Sequence, residues 1–95
     1  MVVGVCTIDL HLPGIGSLKG KRQVVKSIQQ RLHNRFNVSV AEVEHNELWQ
    51  LAGIAICAVA NTSSHATEVV SSAVSYLESL RLDVEIVEQE TEVLD

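Results

Sequence analysis

Basic side chains are concentrated in one segment of this sequence, where they are placed to bind an anion. Residues 17–36 contain six of the seven basic residues and no aspartate or glutamate, although the whole chain carries a net charge of −5. A helix turning by about 100° per residue places Lys19, Arg22 and Lys26 together, opposite its apolar stripe. A basic face without acids favours an anionic partner such as RNA. The alternative is a solvated face that balances the acidic remainder of the chain or an acidic neighbouring subunit.

The start of this helix combines glycines and basic residues in the stretch LPGIGSLKGKR, residues 12–22. It does not match a P-loop, because Arg22 stands where serine or threonine is required after Gly20 and Lys21. It does not match the dinucleotide fingerprint, because Lys19 stands where the third glycine is needed. We therefore predict no nucleotide cofactor and no other cofactor. Free N–H groups at the helix start favour an anion, and a plain turn with solvated lysines is the alternative. The residues predicted to contact RNA phosphates are Lys19, Lys21, Arg22 and Lys26.

Patterns for catalysis or metal binding are weak. His11 and His45 end two strands expected to finish at the same edge of the sheet, with Asp9, Glu42 and Glu44 nearby in sequence. No H-x-H, HExxH or paired-cysteine spacing accompanies them. A metal site or an acid–base pair is the alternative here, but polar strand ends are the better account, and we predict neither an enzyme nor a metal site.

Apolar periodicity predicts six elements in the order β-α-β-β-α-β. Alternating segments predict strands over residues 2–12, 36–45, 48–60 and 82–93, and helical stripes predict helices over 18–34 and 64–80. Ser17 is a plausible N-cap of the first helix, and Pro13 and Gly14 end the first strand. Two crossover units around a hairpin predict a single α+β domain over residues 1–95 with a ferredoxin-like fold. The sheet should be antiparallel in the order 4-1-3-2, with both helices on one face.

The third predicted strand is apolar on both sides. Ile54, Ile56 and Ala58 point one way, and the residues on the other side are Ala55, Cys57 and Val59. A strand that is apolar on both sides should be covered on both sides, so we predict a homodimer or a larger assembly in which a second copy covers the open face. Trp49 opens this strand as either an interface anchor or a core residue at the sheet edge.

The composition indicates a folded cytoplasmic protein. No apolar run approaches the length of a membrane span, and the N-terminus lacks the basic region of a signal peptide. Cys6 and Cys57 lie in apolar runs and are expected to be buried free thiols in a reducing compartment, with a disulfide as the alternative.

The stretches LPGIGSLKGKR and RFNVSVAEVEHNELWQLAGIAICAVAN, followed by an acidic final strand, resemble the YlxP-like family of small bacterial proteins over residues 2–93. The resemblance implies a ferredoxin-like fold. It also implies a role linked to RNA or the ribosome, because genes of this family often lie among those for translation factors and ribosome maturation. It brings no catalytic residues, and the basic positions that match are Lys19, Lys21 and Arg22.

Two functions of different classes follow from these observations. The first is an RNA- or ribosome-associated binding protein that uses the basic helix. The second is a dimeric structural or adaptor module that binds protein through the open face of its sheet.

Overall fold

Four strands and two helices alternate along the chain in the order predicted from the sequence. A computed structural model describes residues 1–80 and 84–95. The elements are β1 (Val2–His11), α1 (Leu18–Arg35), β2 (Ser39–Glu44), β3 (Leu51–Ala60), α2 (Ser63–Ser79) and β4 (Glu85–Leu94). The last strand was predicted to begin at residue 82, and residues 82 and 83 lie outside the described residues.

The strands form one antiparallel sheet in the order β2-β3-β1-β4, which is the predicted order 4-1-3-2 in reverse. β1 and β3 are the two inner strands and pair along their whole length, from Val2 opposite Ala60 to His11 opposite Leu51. The predicted α+β, ferredoxin-like architecture is confirmed.

Side-chain caps fix where the two helices begin. The Ser17 hydroxyl accepts a hydrogen bond from the Gly20 N–H at 3.0 Å, as predicted for the N-cap of α1. The Thr62 hydroxyl accepts one from the His65 N–H at 3.3 Å and begins α2 in the same way. Each cap satisfies an N–H group that has no partner within the helix.

The core lies between one face of the sheet and the two helices. Alternate residues of β1 and β3 point into it, because successive side chains of a strand point to opposite faces. Both helices add residues at helical spacing to the same cluster. Core residues that are at most 2% exposed include Cys6, Ile8, Leu10, Leu12, Ile54, Ile56, Ile28, Leu32, Val70 and Leu77.

Two predicted strand boundaries are wrong. β2 begins at Ser39 and not at residue 36, because the Phe36 N–H bonds to the Leu32 carbonyl and ends α1. β3 begins at Leu51 and not at residue 48. Trp49 therefore lies in the β2–β3 connection, where it is 53% exposed. The core position considered for Trp49 is wrong, and its role as an interface anchor stays a prediction.

Across the described residues, neither helix is both long enough and apolar enough to cross a membrane. Cys6 is buried, Cys57 is half-buried, and both thiols are free. The disulfide alternative is therefore not formed.

Candidate nucleic-acid interface

Three basic side chains form an exposed ridge along the first half of α1. Lys19, Arg22 and Lys26, which we call the basic ridge, are all exposed. None of the ion pairs formed among residues 1–80 and 84–95 includes any of them. Lys26 lies seven positions after Lys19, which is about 10 Å along the axis at 1.5 Å per residue. The ridge therefore presents three uncompensated positive charges over a short distance.

Lys21 is not part of this surface, and its prediction as a phosphate contact is corrected. The side chain is fully buried. Its Nζ lies 2.8 Å from Oε2 of Glu42 and donates hydrogen bonds to the carbonyls of His45, at 2.7 Å, and Leu51, at 3.3 Å. An ammonium group has three donors. Lys21 therefore has no capacity left for a ligand in this conformation.

The Lys21 contacts join the first turn of α1 to the end of β2 and the start of β3. A buried charge is tolerated when it is paired and hydrogen-bonded. The Lys21 ammonium meets both conditions, whereas Oε2 of Glu42 has the ion pair but no hydrogen bond among the described residues. The sequence carried a signal for this burial, because Lys21 precedes Val25, Ile28 and Leu32 by 4, 7 and 11 positions. Those intervals place it on the apolar stripe and not on the ridge.

The two arginines at the end of α1 interact within the protein. Nε of Arg31 donates to the Ser27 hydroxyl at 3.3 Å. The guanidinium of Arg35 lies 4.6 Å from the centre of the Tyr76 ring, within cation–π distance. The exposed basic residues of α1 therefore fall into the basic ridge and two arginines near the end of the helix that contact neighbouring side chains.

The opposite surface of the molecule is the open face of the sheet, and one half of it is acidic. Asp9 of β1 pairs with Glu88 of β4, and Thr7 and Val5 pair with Glu90 and Glu92. Partners across neighbouring strands point to the same side. The carboxylates of β4 therefore line the face that the helices do not cover.

The other half of the open face is apolar and contains the predicted interface residues. Ala55 and Cys57 are half-buried and Val59 is 66% exposed. Val59 pairs with Val3, and Val3 pairs with Leu94. The predicted orientation of the third strand is confirmed, whereas coverage by a second copy stays a prediction.

The two histidines at the strand ends, His11 and His45, belong to two separate polar groups. Nδ1 of His11 lies 3.6 Å from Oε2 of Glu85. Nε2 of His45 lies 3.6 Å from Oδ1 of Asp9 and 3.8 Å from Oε2 of Glu44. Glu42, grouped with these residues from the sequence, instead points to the helix side and pairs with Lys21.

An antiparallel 4-1-3-2 sheet with two helices on one face defines a small α+β protein of ferredoxin-like architecture. Residues 3–91 match the family model "Protein of unknown function (DUF503)", and the chain belongs to this family. It is 30% identical to "Uncharacterized protein YlxP" of Bacillus subtilis (strain 168) over 78 residues, which cover 82% of this chain and 85% of that protein. The family resemblance seen in the sequence is thereby confirmed.

Proposed function

We propose that this protein is a non-catalytic, cytoplasmic RNA-binding protein that contacts RNA, alone or within a ribosomal subunit, through the basic ridge. The observation that carries the proposal is the charge pattern of α1. Lys19, Arg22 and Lys26 are exposed and uncompensated within the described chain. The two free thiols support the reducing compartment.

Polar side chains beside the ridge suit a phosphate-and-sugar contact. Gln23, Gln30 and His33 are exposed and lie on the same side of α1. Amide and imidazole groups of this kind donate hydrogen bonds to phosphate and sugar oxygens, and such contacts carry no sequence information. We therefore expect binding that tolerates changes in RNA sequence.

The acidic half of the open face limits RNA to one side of the molecule. Its carboxylates repel phosphates, and they lie across the sheet from α1. With Lys21 buried, the ridge supplies three phosphate contacts. The slope of log affinity against log salt should then be roughly −2 to −3, and binding should be weak at physiological salt.

The proposal is tested by fluorescence anisotropy with labelled single-stranded RNA of mixed sequence, and by sedimentation with purified ribosomal subunits. The double variant Lys19→Gln with Arg22→Gln should lose most of the binding. A matched control, Ser71→Glu with Ser72→Glu, makes the same change in net charge on exposed positions of α2 and should bind as the parent protein does.

Equal losses in the two double variants would show that only net charge matters, which contradicts a contact at the ridge. Unchanged binding in the ridge variant would contradict it as well. Thermal unfolding of both variants should match the parent, because exposed substitutions usually change stability by only about 0.5 kcal/mol.

A second function is favoured by the apolar half of the open face. Val59 and Leu94 are 66% and 51% exposed and flank Val3 on neighbouring strands. We propose a second copy of the chain as the occupant, which gives a dimeric adaptor. Light scattering at a protein concentration of about 100 μM tests this. A dimer whose dissociation constant exceeds that concentration is held together by less than about 5.5 kcal/mol. Val59→Asp should dissociate the dimer, and a strictly monomeric parent protein would exclude it.

A further inference from the structure

Three metal-ligating side chains converge where β1, β2 and β3 meet on the open face. Asp9 lies on β1, Glu44 ends β2, and His45 follows it directly. Their nearest donor atoms all lie within 4.8 Å of one another. We infer that these residues form a binding site for a divalent transition metal of the zinc class, a function independent of the basic ridge.

The distances between the donors fit a shared ion better than direct hydrogen bonds. Nε2 of His45 lies 3.6 Å from the Asp9 carboxylate and 3.8 Å from the Glu44 carboxylate. A charged hydrogen bond between such groups measures about 2.7–2.9 Å. Tetrahedral ligands at zinc bond lengths of about 2.0–2.2 Å are separated by about 3.3–3.6 Å. Both distances from His45 therefore lie close to this separation, and the carboxylate oxygens of Asp9 and Glu44, within 4.8 Å of each other, would draw together around a shared ion.

Gly53 of β3 allows the two carboxylates to approach each other. It pairs with Asp9 on one side and with Glu44 on the other. A Cβ atom at this position would lie 2.9 Å from Cβ of Glu44 and 3.3 Å from Oδ1 of Asp9. The middle strand therefore has no side chain where the two acidic side chains meet, which is what a shared ion between them requires.

The backbone of His45 is held in place from the protein interior. Its carbonyl accepts hydrogen bonds from the buried Lys21 ammonium at 2.7 Å and from the Leu48 N–H at 3.0 Å. Its φ angle of 62° turns the chain at the end of β2. These contacts fix the backbone position from which the His45 side chain extends toward Asp9 and Glu44.

The surroundings of the donors are negative. A depression of about 240 Å³ is lined by Asp9, Glu44, Glu88 and Glu90, and no lysine or arginine of residues 1–80 or 84–95 lines it. A divalent cation would offset the repulsion among these carboxylates. The imidazole favours zinc-class metals over Ca²⁺ and Mg²⁺, which prefer oxygen ligands alone. Three protein ligands leave a position for water or a ligand entering from the depression.

The experiment is a calorimetric titration of the chelator-treated protein with ZnCl₂, with MgCl₂ and CaCl₂ in parallel. The parent should bind one Zn²⁺ ion per chain. Asp9→Asn, Glu44→Gln and His45→Gln should each weaken the affinity at least about tenfold. The controls are His11→Gln, a histidine 3.6 Å from one carboxylate, Glu92→Gln on the same face, and Cys57→Ser, a half-buried thiol. All three should bind Zn²⁺ as the parent does.

Urea unfolding checks that each variant is folded, and Asp9→Asn keeps the shape of the side chain if His45→Gln does not fold. In two-dimensional NMR spectra, Zn²⁺ should shift the ring signals of His45 and leave those of His65 in place. The site is excluded if the parent shows no saturable Zn²⁺ binding, if a control variant loses the binding instead, or if only Ca²⁺ or Mg²⁺ binds.

Discussion

The outer face of α1 and the open face of the sheet carry opposite charges on opposite sides of one small domain. The helix presents Lys19, Arg22 and Lys26, which form no ion pair among the described residues. The sheet presents carboxylates from β1, β2 and β4, and two of them, Asp9 and Glu44, lie 3.6 and 3.8 Å from Nε2 of His45. The first surface suits an extended polyanion, because its charges follow a line. The second suits a compact cation, because its charges converge on a point.

Lys21 shows why the charge of an element differs from the charge of its surface. It belongs to the same helix as the basic ridge, yet its ammonium is enclosed with Glu42 between the two charged faces. Lys21 also holds the carbonyl of His45, and the pair leaves no charge for a ligand. The net charge of a segment is therefore a poor guide until each side chain has been assigned to a face.

The largest effect is expected from breaking the buried pair. Lys21→Met leaves Glu42 and two backbone carbonyls without their partner, and should lower the free energy of unfolding by about 3–5 kcal/mol. The control Lys19→Met, on the exposed ridge, should change it by less than about 0.5 kcal/mol. Urea unfolding measures both, and equal midpoints would show that the two lysines of the helix are equivalent.

A companion variant sharpens this result. Replacing both members, with Lys21→Met and Glu42→Leu together, removes the unpaired charge as well and should recover most of the lost stability. Failure to recover it would locate the main contribution in the hydrogen bonds from Lys21 to the carbonyls of His45 and Leu51.

The next largest effect is expected at Gly53, where the side chains of Asp9 and Glu44 approach each other. Gly53→Ala places a Cβ atom within 2.9 Å of Cβ of Glu44, and should cost about 1–3 kcal/mol of stability by overpacking. Gly16→Ala is the matched control, because a Cβ atom there has no neighbour within 4 Å. Chemical unfolding compares the two, and a Gly53→Ala protein as stable as the control would mean that Asp9 and Glu44 lie farther apart.

A smaller effect on stability is expected at the N-cap of α1, just before the basic ridge. Ser17→Ala removes the hydroxyl that accepts the Gly20 N–H, and should cost about 1 kcal/mol. Ser71→Ala on the exposed side of α2 is the control and should not destabilise, because alanine is a good helix former. RNA affinity should fall with Ser17→Ala if the first turn positions Lys19, and stay constant if that turn is irrelevant to binding.

The smallest effect compares single charges on the two faces. Glu88→Gln removes a carboxylate opposite Asp9 and should raise the free energy of unfolding by a few tenths of a kcal/mol, roughly 0.3 at low salt. The gain should fade in high salt. Lys26→Gln removes a charge one helical turn from Arg22, and should likewise raise stability by roughly 0.2–0.5 kcal/mol because like charges at i and i+4 repel. Thermal melts of both variants at two salt concentrations compare the two faces directly.

Most of the fold is determined by local patterns in the sequence. Period-two alternation fixed which side of β3 faces the helices, and the apolar stripes fixed both helices to within one residue at each end. The boundaries that failed, at Phe36 and Trp49, hold large apolar residues that local patterns assign to strands. Phe36 instead packs edge-on against Tyr76, with ring centres 5.7 Å apart, a contact made between the two helices.

The contacts of charged side chains were predicted less well from the sequence, because those contacts depend on partners that are distant in the sequence. The sequence did determine the basic ridge, since helical periodicity alone places Lys19, Arg22 and Lys26 opposite the stripe. Only the tertiary structure decided that Lys21 meets Glu42, 21 positions away, and that Asp9 and Glu44 meet over Gly53. Periodicity reports the side of an element on which a residue lies. The packing of β1, β2 and β3 against α1 decides which charges become neighbours, and so whether a charge is neutralised, left free, or placed to bind an ion.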